Sequence, residues 1–298
     1  MTTPTHGTTA PTSTTATNST TAPTNAVAVD EPPARFLDLV AAEWIKVRSL
    51  RSTPWVIVLV ALVVTGMAAA RALADYNNFP SYDALTQREH PFSLSDSFPA
   101  EGYLTLMLAA VAVGSIAAVS EYGSGLIRTT TVAVPARGAV VLAKAVVQVV
   151  LWAVVGLLAA LCSFFTAQAI LSGRDAAIPL GDADSLRALV ASALLAPVCA
   201  LVGLGLGVLI RHSATTVVAG SFVLLLLPVF FSSRKPLSAT FANAMVRNAW
   251  QRLATIYGAP AEASAYNGAT VGGSWTVYVL WPLAALALAL VVVRRRDV

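Results

Sequence analysis

Apolar and charged positions do not alternate along this chain; they are sorted into blocks. Lys, Arg, Asp and Glu are almost absent from 55–70, 103–119, 149–171, 188–210, 214–231 and 275–293, and they crowd into the segments between. A helix crossing about 30 Å of hydrocarbon needs roughly 17 to 25 apolar residues, and each block has that length or comes close to it. The blocks are apolar on every face, whereas a membrane barrel needs strands of about ten residues that alternate apolar and polar. In the first block Val56, Ile57, Val58, Leu59, Val60, Leu62, Val63 and Val64 together favour insertion by on the order of 3 kcal/mol. The pattern predicts an all-α polytopic membrane protein with six transmembrane helices.

Two shorter periodicities flank these blocks. Projected as a helix, 35–51 gathers Phe36, Leu39, Val40, Trp44, Val47 and Leu50 into an apolar arc and turns Asp38, Lys46, Arg48 and Ser49 away. That is an N-terminal amphipathic interfacial helix. Over 241–257, Phe241, Met245, Ala249, Leu253 and Ile256 take one side and Asn243, Arg247, Gln251 and Thr255 the other, which predicts an external interfacial helix between spans five and six. Trp275, Tyr278 and Trp281 open the sixth span, where an outer aromatic belt belongs.

Composition narrows the class. Of 298 residues, 56% are hydrophobic and 11% charged, where a soluble domain carries about 25% charged. Residues 1–34 are Thr, Ala, Pro, Ser and Asn with few large apolar side chains; they read as a disordered cytoplasmic tail, and 35–298 as the six-helix transmembrane domain. With neither a basic start nor an apolar run, the tail is not a signal peptide. Cys162 and Cys199 both fall inside spans and read as packing residues, and His6, His90 and His212 are scattered, so no metal framework is expected.

Charge sets the expected orientation. Across six alternating spans one side collects eleven Lys and Arg; the other collects eight, with nine acids. Positive charge is retained inside, so both termini are assigned to the cytoplasm, with Arg294, Arg295 and Arg296 as the strongest stop signal. The net charge of +4 follows from topology, and no nucleic-acid partner is expected.

Some residues do not fit a plain set of spans. Glu43 projects into the apolar arc, where a carboxylate is costly unless it meets a cation, with Lys46 in reach, or another protein. The inner segment 120–147 is longer than a connection needs and carries Glu121, Arg128, Arg137 and Lys144 among Gly123, Gly125, Pro135 and Gly138. It is expected to form a short helix and turn standing off the membrane, with the Lys144 ammonium snorkelling to the interface. Gly203, Gly205 and Gly207 suggest close helix packing.

Taken in order, these residues resemble a family. Glu43, Trp44 and Lys46, then Ser120, Glu121, Tyr122, Arg128, Thr129, Val134, Pro135, Arg137 and Lys144, then Leu209, Ile210, Arg211 and His212, and finally Arg295, Arg296 and Asp297 are similar to the permease subunits of type-2 ATP-binding-cassette exporters, particularly actinobacterial ones. The resemblance covers 35–298 and departs in the external loop, where Ala259, Pro260, Ala261 and Glu262 stand in place of a Pro-Ser-Asn-Ala-like stretch. It implies that the N-terminal helix and the inner loop dock on a separate ATP-binding subunit through Glu43, Lys46, Glu121, Tyr122, Arg128, Pro135, Arg137 and Lys144.

The chain has no G-x-x-x-x-G-K-[ST] phosphate loop, so ATP and Mg are expected on the partner and no cofactor in this chain. The aromatic, weakly polar spans suit an amphiphilic or hydrophobic cargo, exported between two permease copies, or this chain and a similar one, embedded in membrane lipid. A channel or assembly subunit without an ATPase is the alternative. An intramembrane enzyme is a weaker one, because Ser163 and Ser192 have no His, Lys or Asp companion in a span.

Overall fold

The computed structural model describes residues 35–82, 84, 94–123, 137–174, 180–231, 235–254 and 269–295. Among them every regular element is a helix. Helix α1 (Phe36–Ser49) begins where the Asp38 carboxylate accepts the Arg35 backbone N–H at 2.9 Å, and it ends at an extended Leu50. After this break the first span, α2 (Ser52–Asn78), starts with Pro54 inside its first turn, where a missing N–H costs little. A one-turn helix, α3 (Leu94–Ser97), precedes α4 (Ala100–Gly123), α5 (Arg137–Leu171) and α6 (Ala183–Ile210).

The fifth span is irregular. It runs as α7 (Ser213–Ser221), a π-helical Phe222–Leu226 and a 3₁₀ Leu227–Phe230. Pro228 has no N–H to give to the preceding turn, and the shift in hydrogen-bond register on either side accommodates it. Two short helices, α8 (Pro236–Asn243) and α9 (Val246–Ala254), then lead to α10 (Val271–Arg295). Six helices are long and apolar enough to cross a membrane, so the chain is an all-α, multi-pass membrane protein.

α6 is the axis of the bundle: it packs against α4, α5, α7, α9 and α10. Of its most apolar window 78% is buried, against 22% for the first span and for the fifth. Glycine permits the closest crossing. A Cβ on Gly203 would overlap the Val111 carbonyl of α4, and one on Gly114 would overlap the Ala200 carbonyl of α6. The Ser115 hydroxyl donates at the same crossing to the Val111 carbonyl, 2.7 Å away, within reach of Gly203 O at 3.2 Å. Large side chains on the outer helices, among them Leu59, Leu62, Val154, Leu158, Phe230 and Leu280, stay exposed, as lipid-facing surface should.

At the end of the bundle away from α1, an aromatic knot closes the core. Tyr103 stacks on Trp250 with ring centroids 4.9 Å apart, Phe98 stacks on Phe164 at 6.2 Å, and the Trp250 indole donates to Ser192 Oγ at 3.1 Å. The Trp281 indole donates to the Ala244 carbonyl at 2.7 Å, tying α10 to the turn between α8 and α9.

Expectations change in detail. At the flanks of 120–147, Ser120–Gly123 finish α4 and Arg137–Val147 form about the first three turns of α5; 124–136, where a short helix and turn are expected, lie outside the described residues. Lys144 does not snorkel; it is 6% exposed, because carboxylates from two other helices meet it inside. The external helix over 241–257 is two helices broken at Ala244 and Met245; Met245, Ala249 and Leu253 are buried as the pattern required, while Phe241 is exposed. The tail, residues 1–34, lies outside the described residues.

Candidate docking and coupling site

α1 cannot hold itself against the bundle by its apolar arc alone, since Phe36, Trp44 and Leu50 remain 43%, 38% and 44% exposed. Its buried contact is a charge. Glu43 is 6% exposed and lies among three helices: its Oε1 accepts from Lys46 Nζ at 2.7 Å, and its Oε2 accepts from Lys144 Nζ of α5 at 2.7 Å. Glu121, at the end of α4, accepts on one oxygen from Lys144 at 2.6 Å and from Lys46 at 2.7 Å. Two carboxylates and two ammoniums thus form a closed, neutral ring spanning α1, α4 and α5.

Each part of the ring answers a local problem. A carboxylate in the last turn of a helix opposes the helix dipole, and the two lysines offset this for Glu121. An ammonium two turns inside a span is costly alone, and Lys144 has a carboxylate from each side. Burial works against the Lys46 ammonium, but its hydrogen bonds to Glu121 and Glu43 and their negative charge raise its pKa above the ordinary lysine value. The Lys46 side chain remains 47% exposed while that of Lys144 is 7% exposed, so the ring has a wet edge and a dry edge.

Of the residues expected to dock a partner, the structure brings Glu43, Lys46, Glu121 and Lys144 into one cluster. Tyr122 sits beside it, its ring 4.9 Å from the Arg211 guanidinium. Arg211 caps α6 with a left-handed φ of 62°, an end that terminates the helix at the same level as Glu121. Arg137 opens α5, half-buried and two turns from Lys144. Arg128 and Pro135 lie outside the described residues.

A pocket of about 420 Å³ adjoins the ring, between α1, α2, α4 and α5. Val47, Leu50, Val56, Val113 and Ile116 give it apolar walls, and Gln148, one turn beyond Lys144, forms part of its lining. Gln148 is 1% exposed and its Oε1 accepts no hydrogen bond. Sequence reasoning passed over both Gln148 and Arg211 as site residues. The spacing of Lys144 and Gln148 on one helix face was the available signal.

The opposite end holds a second polar group. Asp96 of α3 is 5% exposed with Oδ2 unpartnered, and its pKa is pushed up to about 8, first by burial and then by the neighbouring Asp75 carboxyl. Tyr82 Oη donates to Asp75 Oδ1 at 3.1 Å. Arg71 pairs with Glu101 at 3.0 Å in the open. In the spans, the Ser163 hydroxyl donates to the Ser97 carbonyl, and Ser192 Oγ accepts from Trp250. Among the described residues no group of three or more His, Cys, Asp or Glu side chains could hold a metal ion.

Compared with known proteins, the chain matches no family model, and no curated protein is similar to it.

Proposed function

We propose that this chain is the transmembrane permease subunit of an ATP-binding-cassette exporter, working with a separate ATPase subunit. The observation that carries the reading is the closed ring of Glu43, Lys46, Glu121 and Lys144. An amphipathic helix needed only as an anchor has no use for a buried carboxylate, whereas a helix that must pass on a push needs a stiff joint to the spans. A buried, hydrogen-bonded charge ring is such a joint, because sliding α1 along the membrane would expose unpaired charges at a cost of several kcal/mol. In this reading the ATPase engages the exposed faces of α1 and the segment 124–136. Movement passes through Glu43 into α4 and α5, with Arg137, Arg128, Pro135 and Tyr122 at or near the contact.

The same reading puts both termini in the cytoplasm of a bacterial plasma membrane. It places the pathway between two permeases, since the first and fifth spans leave most of their apolar surface uncovered. A cargo that is amphiphilic or hydrophobic suits spans whose charges are confined to their ends.

The test is native co-purification of the full chain, followed by reconstitution with the ATPase recovered with it. The expected result is ATP hydrolysis by the complex that amphiphiles stimulate and that Lys144→Met reduces at least fivefold with assembly retained. A chain that purifies without any ATPase, or a complex whose hydrolysis ignores Lys144→Met, overturns the reading.

A further inference from the structure

The pocket beneath α1 is more than a gap between helices, because it holds polar groups whose hydrogen-bonding capacity is only partly used. An ammonium has three N–H donors. Lys46 and Lys144 each give two to the carboxylates of the ring, so each keeps a third, and both line the pocket. Gln148, 1% exposed, adds a buried amide oxygen that accepts nothing, a state that costs free energy unless something donates to it. One turn of helix, about 6 Å of rise, separates Lys144 from Gln148. Val47, Leu50, Val56, Val113 and Ile116 make the apolar walls, with serine and threonine side chains and the paired carboxylates of the ring completing the lining, and the volume falls within the roughly 300 to 1,000 Å³ of small-ligand pockets.

A fitting ligand therefore has an anionic head, a hydroxyl about one helical turn from it, and a single apolar chain. We propose that this pocket binds a monoacyl phospholipid from the leaflet on which α1 lies. Its phosphate accepts from Lys46 and Lys144, its free glycerol hydroxyl donates to Gln148 Oε1, and its chain lies along Val56, Val113 and Ile116. Arg48 and Arg51 are exposed and are sequence neighbours of the pocket-lining Val47, Ser49, Leu50 and Ser52; they add positive charge to a ring that is itself neutral, which favours a phosphate over an ammonium head. The bound lipid lies between α1 and the spans and joins the charge ring to the membrane surface.

This proposal does not rest on the transport reading, since the single chain suffices to test it. The full-length protein is placed in nanodiscs of dioleoyl phosphatidylcholine and titrated with mono-oleoyl phosphatidic acid, and adducts are counted by native mass spectrometry. One adduct per chain is expected. Affinity should fall at least tenfold in Ala117→Trp, which fills the pocket from a half-buried wall, and at least fivefold in Gln148→Leu. The variant Gln148→Leu removes an unpaired buried acceptor, so it should unfold at the same temperature as the wild type or higher. Capping the glycerol hydroxyl with a methyl group should weaken binding to the wild type at least fivefold and leave binding to Gln148→Leu unchanged. Equal binding to the wild type and Ala117→Trp, equal binding of the capped lipid to the wild type, or equal retention of dioleoyl phosphatidic acid overturns the proposal.

Discussion

Lys144 holds Glu43 at 2.7 Å across 101 residues of sequence, and that bond joins a helix preceding the first span to the opening turns of α5. Nothing in the local sequence of either residue requires the other. Their pairing explains why a carboxylate stands in the apolar arc of α1 and why an ammonium stands two turns inside α5.

Removing one member should be worse than removing the charges together. Lys144→Met leaves Glu43 and Glu121 buried with only Lys46 between them and should cost about 3 to 5 kcal/mol. Replacing Glu43 by Gln in the same chain should recover part of that loss. Thermal unfolding in detergent measures it, and limited proteolysis within α1 should rise in the single variant and fall back in the double. Equal stability of the wild type and Lys144→Met would show that the ring is not what holds α1.

The helix ends and this ring were unequally legible. Apolar blocks mark where a chain prefers hydrocarbon, so they located six spans; they do not mark where a helix stops, because a polar helical turn continues freely beyond the hydrocarbon edge. Hence α5 starts at Arg137 rather than near Val149, and α2 continues to Asn78. Glu43 was conspicuous as a misplaced charge and its neighbour Lys46 was readable at i+3, but Lys144 and Glu121 reach it only through tertiary packing. Gln148 carries no local signal beyond its spacing from Lys144, and only tertiary packing places it in a pocket.

At the other end of the bundle, Asp96 predicts a pH dependence. Its carboxyl titrates near pH 8 in the fold, against about 3.9 unfolded, so the native state holds a proton that the unfolded state has released. Between these values the folded protein binds more protons, and stability should fall as pH rises from about 4 to about 8. Facing this group are Asp75 and Arg71 from α2 and Tyr82 just beyond it, with Gln168 and Ser163 of α5 on the adjoining Ser97. Asp96→Asn should raise the unfolding temperature most at pH 8.5, less at pH 5.5 and least near pH 4, flattening the profile between. An Asp96→Asn profile that parallels the wild type would place the dependence elsewhere.

Gly203 and Gly66 make a matched pair within spans. At Gly203 a methyl group meets the Val111 backbone, whereas at Gly66 it meets nothing within 4 Å. Gly203→Ala should therefore destabilise by about 1 to 3 kcal/mol through forced separation of α4 and α6. Gly66→Ala should be neutral or stabilise by up to about 1 kcal/mol through helix propensity. Thermal unfolding of the two variants side by side checks both signs, and the same sign for both would remove the α4–α6 contact as the cause.

Orientation is decided by accessible positions at the two ends. The charge ring, Arg211 and the end of α10 share one end of the bundle, and Ala84 belongs to the connection at the other. With eleven basic residues assigned to the first side and eight basic against nine acidic residues on the second, the retained side should be the cytoplasm. Cys162 is exposed on the third span and Cys199 is buried, so both are first replaced by alanine to clear the background. A single cysteine at Ala42, exposed on α1, should then resist an impermeant thiol reagent in intact cells and react only after lysis. One at Ala84, also exposed, should react in intact cells. Labelling of Ala42→Cys from outside would invert the topology and put the ring, and any partner that works through it, on the far side of the membrane from ATP.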